Sequence, residues 1–343
     1  LLDEWQVVPE VLGAVKRAVD HDAHPGRYIL TGSIRADLDA QTWPGTGRVV
    51  RVPMYGMTVA EQMGQPSPAP LFDRLSREDH LEVPGSPPDL REYVELATRS
   101  GFPEAALSIS NSDRARWIES YIDQLLRRDV TQLKESRDPA KLRRFFEAYA
   151  LNSAGVAKDR TLYEAADINL KTAESYEQLL INLMIVEKLP SWRSNRLKRL
   201  ARSSKRYLIE PALIAGALRI DAGGIMRDGD LLGRTLDTFV AAHLRAELAT
   251  TESRPRLYHV REEHGRHEID LIAELAGQRV IAVEVKADAA PNRTSAAHLI
   301  WLRDRLGDRF TAGVLLHTGP RSFRIDERIF AAPICSLWTS KEP

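Results

Sequence analysis

The chain has 343 residues, with 48 basic and 48 acidic side chains and a single cysteine. A domain commonly has about 100–200 residues, so this length predicts two or three domains. The formal net charge of zero at pH 7 predicts no general attraction to nucleic acid, and such binding would have to depend on a local cluster of charge. Lone Cys335 excludes a disulfide framework and a multi-cysteine zinc site, and it fits a reducing, cytoplasmic compartment. No apolar run approaches the ~20 residues of a membrane helix, so no membrane span is predicted.

The first fifty residues alternate between strand-like and helical patterns. Leu1-Leu2 ends an apolar run, Val11 to Val19 has helical spacing, and Tyr28-Ile29-Leu30 predicts a short buried strand. A second strand is predicted from Val49 to Val52. Strand, helix and strand in this order indicate a βαβ unit and hence a parallel sheet. Because the chain begins inside a predicted strand, we interpret it as a fragment of a longer protein.

The middle of the chain is mainly helical. Residues 65–90 are rich in proline and predict a linker or an irregular insertion. Helical spacing resumes at Leu90 and again from Ala115 to Val130, and residues 141–185 predict three further helices. An α/β region follows, and its predicted elements are a helix from Leu231 to Leu248, strands at Ile269–Leu275 and Val280–Val285, a helix from Ser295 to Leu306 and a strand at Ala312–Leu316.

Residues 190–206 are strongly basic, since seven of the seventeen are Lys or Arg and none is acidic. Three helices followed by a basic hairpin suit a winged helix, with residues 171–185 as the recognition helix and Trp192 to Arg206 as the wing. Such a segment would give salt-sensitive, sequence-independent binding to DNA or RNA. The alternative is a solvated hairpin, or one that docks on an acidic part of the same protein. The candidate nucleic-acid-binding residues are Arg193, Arg196, Lys198, Arg199, Arg202 and Lys205.

The most informative chemistry lies in residues 268–286. Gly277 is midway between Asp270 and Glu284, so a three-residue hairpin loop would place these two acids directly opposite each other. Lys286 would share the face of Glu284, while Ile281, Val283 and Val285 point the other way into a core. Opposed carboxylates repel, and Mg²⁺ would relieve the repulsion and could activate a water for phosphoryl chemistry. The alternative is that Lys286 and nearby arginines neutralise acids on an exposed sheet face.

This pattern resembles the core of PD-(D/E)XK nucleases, in which Asp270, Glu284 and Lys286 would be the catalytic residues. The resemblance implies a further acid from a preceding helix, and Asp237 lies at that place, where relatives usually have Glu. Asp237, Asp270 and Glu284 are therefore the expected metal ligands of a Mg²⁺-dependent nuclease site. The shorter side chain of Asp237 makes its part in the ligand set the weakest of the three.

The N-terminus carries a second candidate site. Leu1-Leu2-Asp3-Glu4 is an apolar strand end followed by two acids, and in P-loop ATPases such an Asp helps to hold Mg²⁺ while the Glu polarises the attacking water. Thr31-Gly32-Ser33, after the next strand, is similar to a polar sensor of the γ-phosphate, with Ser33 as the sensor. Arg48 is a candidate arginine finger, or else a surface arginine. The phosphate loop G-x-x-x-x-G-K-[ST] does not occur in the sequence, so the chain alone is expected to bind ATP poorly or not at all.

The order of these motifs closely resembles one bacterial and archaeal AAA-type ATPase family, whose members end in a domain of unknown function with a nuclease-like core. The resemblance covers nearly the whole chain, although the proline-rich stretch looks longer than usual and Glu210 replaces an Asp. It implies a Walker A motif upstream of residue 1, and ATP and Mg²⁺ as cofactors. The segments that carry it are Leu1 to Glu10, Pro25 to Ser33, Gly101 to Glu104, Trp117 to Tyr121, Arg127 to Asp129 and Ser203 to Tyr207.

The sequence therefore predicts an α/β multidomain protein. Its expected function is ATP binding, with hydrolysis in the full-length protein, coupled to a nucleic-acid-binding, nuclease-like domain. The alternative is a regulatory or protein-interaction module whose nuclease-like fold has lost activity. Arg48 acting in trans would imply a homo-oligomer through the ATPase part. The expected divisions are half of an ATPase core at 1–65, the proline-rich insertion and a helical lid at 66–140, a winged helix at 141–210 and the nuclease-like domain at 211–343.

Overall fold

The computed structural model describes most of the chain. The described residues are 1–32, 45, 47–77, 81–132, 138–156, 159–193, 203–262 and 266–340. They form a mixed α/β fold with a two-stranded sheet and a mixed six-stranded sheet. Within these ranges, every helix is too short or too polar to span a bilayer.

The N-terminal segment forms a parallel bridge between Leu2 and Leu30. The Leu2 amide donates to the Ile29 carbonyl at 2.8 Å, and the Thr31 amide donates to the Leu2 carbonyl at 2.9 Å. Helix α1 (Val11–His21) lies between the two halves of the bridge in sequence. The predicted order of strand, helix and strand is therefore present, with a single bridge in place of a full strand pair.

Two predictions for this segment are wrong. The strand at residues 28–30 is not buried, because Ile29 is 60% exposed. Residues 49–52 do not form a strand, and Val50 and Val52 are 88% and 67% exposed. Within the described chain no strand lies beside residues 49–52, so their β-branched side chains have no sheet to join.

Helices make up most of the chain between residues 59 and 227. Several begin at a side chain that accepts hydrogen bonds from the first turn: Asp89, Asp138 and Asn169 each do so. The proline-rich stretch contains one buried helix, so it is less irregular than predicted. These helices are α2 (Val59–Gln62), α3 (Leu71–Ser76), α4 (Leu90–Arg99), α5 (Asn111–Gln132), α6 (Pro139–Leu151), α7 (Asp159–Ala165), α8 (Leu170–Asn182), α9 (Ala212–Leu218) and α10 (Ala222–Arg227).

A two-stranded antiparallel hairpin follows α8. Its strands are β1 (Val186–Leu189) and β2 (Lys205–Leu208), and Leu189 is paired with Lys205. Helices α6 to α8 and this hairpin reproduce the predicted order of three helices and a hairpin. Residues 194–202, which carry most of the expected wing, lie outside the described residues.

The six-stranded sheet occupies the C-terminal part of the chain. Its strand order is β3-β4-β5-β6-β8-β7, with β3, β4 and β5 antiparallel, β5, β6 and β8 parallel, and β7 antiparallel to β8. Helix α11 covers one face of β5, and helix α12 packs near β4, β5 and β6. The elements are α11 (Gly229–Glu247), β3 (Arg256–Arg261), β4 (Glu268–Glu274), β5 (Val280–Val285), α12 (Ala297–Leu306), β6 (Phe310–His317), β7 (Phe323–Asp326) and β8 (Ile329–Pro333).

The turn between β4 and β5 confirms the predicted register. Leu275 donates its amide to the Arg279 carbonyl at 2.8 Å, which leaves a three-residue loop centred on Gly277. Gly277 has a φ of +70°, a left-handed conformation that glycine adopts without steric cost. Leu271 is paired with Val283, and continuing this register by one step places Asp270 opposite Glu284.

The hairpin is attached to the edge of the six-stranded sheet. Ser191 forms a parallel bridge with His259 on β3, and the Trp192 amide donates to the His259 carbonyl at 2.6 Å. The Trp192 indole also donates to Glu274 Oε2 on β4 at 2.6 Å. This attachment fixes the position of β2 relative to the sheet.

Close helix packing generates a test of the fold. Gly216 on α9 faces α5, and a Cβ atom there would lie 2.4 Å from Ile118 Cγ2 and 3.0 Å from Ile122 Cδ1. We expect Gly216→Ala to lower the free energy of unfolding by about 1–3 kcal/mol, because the added methyl group overpacks this contact. Urea denaturation measures the change.

Gly233 on α11 is the matched control, because a Cβ atom there would meet nothing within 4 Å. Gly233→Ala is expected to raise the free energy of unfolding by up to about 1 kcal/mol, since alanine is the better helix former. Equal effects of the two substitutions would contradict the described packing of α5 against α9.

Candidate functional site

An acidic cluster lies where the hairpin meets the six-stranded sheet. Asp237 comes from the middle of α11, Asp270 from β4, and Glu284 from β5. Asp237 is 6% exposed and Glu284 is 1% exposed. The alternative interpretation, that the opposed acids Asp270 and Glu284 lie on an exposed sheet face, is therefore wrong for Glu284, and the Asp270 side chain is only 18% exposed.

Lys205 from β2 lies inside this cluster. Its Nζ is 2.5 Å from Asp237 Oδ2 and 2.8 Å from Asp270 Oδ1, and its side chain is 2% exposed. The second oxygen of each carboxylate is also occupied. Asp237 Oδ1 accepts from the Tyr207 hydroxyl at 3.0 Å, and Asp270 Oδ2 accepts from the Val285 amide at 2.9 Å.

Glu284 and Lys286 form a second ion pair in the same cluster. Lys286 Nζ is 2.8 Å from Glu284 Oε1, and the lysine side chain is 41% exposed. The other oxygen of Glu284, Oε2, is buried and has no hydrogen-bond partner among the described residues. Lys286 therefore shares the face of Glu284, as predicted, and it forms the solvent-facing side of the cluster.

Burial and mutual repulsion shift the pKa values of these acids. Burial, together with the charge of Asp270, raises the pKa of Asp237 to about 7, although Lys205 acts against the shift. Burial and the charge of Asp270 likewise raise the pKa of Glu284 to about 7 against the effect of Lys286. Burial also acts to raise the pKa of Asp270, but Lys205 and the Val285 amide outweigh it and the pKa is lowered.

The same balance keeps Lys205 charged. Burial alone would lower the pKa of Lys205, but the charges of Asp237 and Asp270 outweigh burial and raise it well above its usual value. The charge of the ammonium group is thus compensated within the protein. Removing one partner of such a buried pair commonly costs about 3–5 kcal/mol.

The observed arrangement does not fit a divalent cation bound by Asp237, Asp270 and Glu284. Carboxylate oxygens are suitable ligands for Mg²⁺, but Mg²⁺ requires oxygens at about 2.0–2.1 Å in octahedral geometry. The ammonium group of Lys205 lies between the two aspartates at the place that such an ion needs. Across the part of the chain that the structure describes, no group of three or more His, Cys, Asp or Glu side chains is arranged to hold a metal.

The N-terminal candidate site is only partly described. Asp3 Oδ1 accepts a hydrogen bond from the Thr31 hydroxyl, which joins the two segments of the parallel bridge. Glu4 accepts from the Gln6 amide, and Arg48 forms an ion pair with Asp20 at the end of α1. Ser33, the expected sensor, lies outside the described residues.

The candidate nucleic-acid-binding residues divide into three groups. Arg193 is half-buried and has a partner within the protein. Lys205 is buried in the acidic cluster, so in this position it cannot contact a phosphate, which differs from its predicted place on a wing. The remaining four, Arg196, Lys198, Arg199 and Arg202, lie outside the described residues.

Sequence reasoning missed the parts of the cluster that come from β2. Lys205 and Tyr207 precede Asp237 by about thirty residues, and they lie at or directly after the end of the basic segment that the sequence predicts to be a wing. The available signal was their alternation: Lys205 and Tyr207 lie on one face of the strand, and Tyr207 is fully buried. The sequence pattern also indicates Ser33 as the polar sensor, and it gives no sign that the Thr31 hydroxyl donates to Asp3.

The raised pKa of Glu284 generates a pH-dependent prediction. A folded-state pKa of about 7, against the ordinary value of 4.5, means that the native protein is stabilised while Glu284 is protonated. This stability is present at low pH and is lost as the pH rises from about 4.5 to about 7. Relative to Glu284→Gln, the free energy of unfolding of the wild type is expected to fall by up to about 1.4 kcal/mol per pH unit in that interval.

Urea denaturation at pH 5 and at pH 8 tests this prediction. Glu327→Gln is the control for loss of a glutamate charge, because Glu327 is 76% exposed. The difference in free energy of unfolding between the wild type and Glu284→Gln should change between the two pH values. This change should be larger than the corresponding change for the wild type and Glu327→Gln. Parallel pH curves for all three proteins would contradict it.

Comparison with known proteins finds domains of unknown function and uncharacterized relatives. The domain of unknown function DUF8612 matches residues 90–223, and the domain of unknown function DUF4143 matches residues 232–337. The uncharacterized proteins Mb2031c of Mycobacterium bovis and Rv2008c of Mycobacterium tuberculosis are each 27% identical over 341 residues, which are 99% of this chain and 69% of each relative. No solved structure matches the chain. The chain is thus similar over almost its whole length to mycobacterial proteins that contain further sequence.

Proposed function

We propose that the chain is part of an AAA-type ATP-binding protein, located in the cytoplasm, whose C-terminal region is a nuclease-like domain that binds nucleic acid. The observation that carries the proposal is the cluster of Asp237, Asp270, Glu284 and Lys286. The three acids come from a helix and two strands, and Lys286 directly follows the second strand. The opposed acids and the Glu-x-Lys spacing are those expected of a nuclease-like core.

The topology around the cluster gives further support. Helix α11, strands β3 to β5, helix α12 and strand β6 follow one another in the chain, and only β6 is parallel to β5. The region matched by DUF4143, residues 232–337, falls inside the expected nuclease-like domain. This agrees with the resemblance, which implies a C-terminal domain of unknown function.

The N-terminal geometry supports the ATP-binding part. In the expected ATPase core, the strand that ends in Asp3-Glu4 lies parallel to the strand that ends near Ser33. The bridge between Leu2 and Leu30 is parallel, and the Thr31 hydroxyl donates to Asp3. ATP with Mg²⁺ would be the cofactor, and the phosphate loop would have to come from sequence upstream of residue 1.

A second candidate function is a regulatory or protein-interaction module in which the nuclease-like fold does not cleave. Lys205 favours this candidate, since its ammonium group already neutralises the two aspartates that a cleaving site would use. The two candidates share the fold and the ATPase part. They differ in whether the C-terminal region binds nucleic acid, either DNA or RNA, or binds a protein partner instead.

Nucleic-acid binding is tested by measuring affinity for labelled single- and double-stranded DNA and RNA at increasing salt. We expect affinity to fall steeply with salt. The slope of the logarithm of the binding constant against the logarithm of the salt concentration reports the number of phosphate contacts. The double variant Arg196→Ala, Arg199→Ala is expected to reduce the size of this slope on duplex DNA by about 1.8, since each lost phosphate contact changes it by about 0.9. Absence of salt-dependent binding would favour the interaction module.

The matched control is the double variant Arg91→Ala, Arg116→Ala. These two arginines are 63% and 87% exposed on α4 and α5, and each is paired with an acid on its own helix. The same samples are incubated with Mg²⁺ or Mn²⁺ beside Glu284→Ala. Cleavage that disappears in Glu284→Ala would identify a working nuclease, whereas binding without cleavage would identify a binding domain.

The ATPase proposal is tested by phosphate release. The present chain is expected to bind ATP weakly or not at all, because it contains no phosphate loop motif. A longer protein that includes the expected upstream motif should hydrolyse ATP, and Glu4→Gln should abolish most of that hydrolysis, with Glu10→Gln as the control. Hydrolysis that is unaffected by Glu4→Gln would refute the assigned role of Glu4.

A further inference from the structure

The structure contains a cation at the centre of its acidic cluster, and that cation is a side chain. Lys205 Nζ is within 2.8 Å of one oxygen of Asp237 and one oxygen of Asp270. Both aspartates also accept a hydrogen bond on their other oxygen, from the Tyr207 hydroxyl and from the Val285 amide. The two carboxylates are thereby fully engaged without an ion.

We propose that Lys205 is the resident cation of this cluster and that it excludes divalent metal ions from it. The lysine replaces the metal that a nuclease-like site would hold between Asp237 and Asp270. The inference rests on the proposed function for its comparison with nuclease-like sites. Its test measures metal binding, so it is separate from the test of nucleic-acid binding.

The charges within the cluster support this role. Three carboxylates face two ammonium groups, one from Lys205 and one from Lys286. Without Lys205, the aspartates would be left as two buried acids close together, and Glu284 Oε2 would remain without a partner. The Asp237 and Asp270 carboxylates would then face a place large enough for an ammonium group, and carboxylate oxygens are the ligands that hard divalent cations favour.

The backbone around Lys205 shows that its position is built into the fold. Leu189 pairs with Lys205 across the hairpin, and the next residue, Arg206, donates its amide to the Gly155 carbonyl at 3.0 Å. The Leu208 amide donates to Ser153 Oγ at 3.1 Å. The ammonium group also lies 5.3 Å from the centre of the Tyr207 ring, which is itself fully buried.

A metal ion and Lys205 cannot both occupy the cluster. An ammonium group and a divalent ion that share the same two carboxylates would be within a few ångströms of each other, and their repulsion is large in a buried site. Binding of a metal would therefore require Lys205 to leave. The Lys205 side chain is only 2% exposed, so it would have to move out of the protein interior and break its ion pairs with both aspartates.

The experiment measures Mn²⁺ binding by isothermal titration at pH 7.5 for the wild type and for Lys205→Ala. We expect no tight equivalent of Mn²⁺ in the wild type. Lys205→Ala is expected to bind one Mn²⁺ at least about tenfold more tightly, because a positive charge has been removed from beside the ion. Adding Asp270→Asn to Lys205→Ala should remove this binding.

Lys16→Ala is the matched control, since Lys16 forms an exposed ion pair with Asp20 and its loss also removes one lysine charge. Lys205→Ala leaves two buried carboxylates, so Lys205→Ala with Asp237→Asn is measured beside it. That double variant removes one carboxylate together with the ammonium group and keeps the charge balanced. It is expected to fold and to bind Mn²⁺ more tightly than the wild type.

Two results would overturn the proposal. One is a wild type that binds one Mn²⁺ as tightly as Lys205→Ala does, with loss of that binding in Asp270→Asn. The other is that folded Lys205→Ala, and folded Lys205→Ala with Asp237→Asn, bind Mn²⁺ no more tightly than the wild type and the Lys16→Ala control. In either case Lys205 would be an ordinary structural ion pair.

Discussion

The buried contact of Lys205 with Asp237 and Asp270 holds together the three elements on which the candidate site depends. It joins strand β2 of the two-stranded hairpin, the long helix α11 and strand β4 of the six-stranded sheet. Charged groups are costly to remove from water unless each has a partner, so the three side chains must be placed together. Tyr207 and the Val285 amide complete the arrangement by satisfying the remaining carboxylate oxygens.

Much of the C-terminal fold could be predicted from the sequence because its signals are local. The positions of α11 and α12, the strands β4 to β6 and the loop centred on Gly277 follow from periodicity and from turn chemistry. The partner of Asp270 could not be predicted, because Lys205 is 65 residues away and its pattern is that of a basic surface hairpin.

The two N-terminal strand predictions that are wrong failed for a different physical reason. The valines at positions 50 and 52 have a strand-like pattern, but a strand requires a neighbour to satisfy its backbone groups, and the described chain supplies none beside them. Leu1 and Ile29, which lie beside the single bridge between Leu2 and Leu30, are also largely exposed. The β-propensity of a segment is a local property, whereas the formation of a strand also requires a second segment that pairs with it.

The attachment of residues 190–192 to β3 has a consequence for self-association. An edge strand offers free amides and carbonyls to any other strand, which makes it a starting point for aggregation. The bridge between Ser191 and His259 covers β3 with a strand-like segment of the same chain, and the amides of Trp192 and His259 are used in it. The opposite edge, β7, has four residues. The sheet is thus protected on one side by coverage and on the other by the shortness of its last strand.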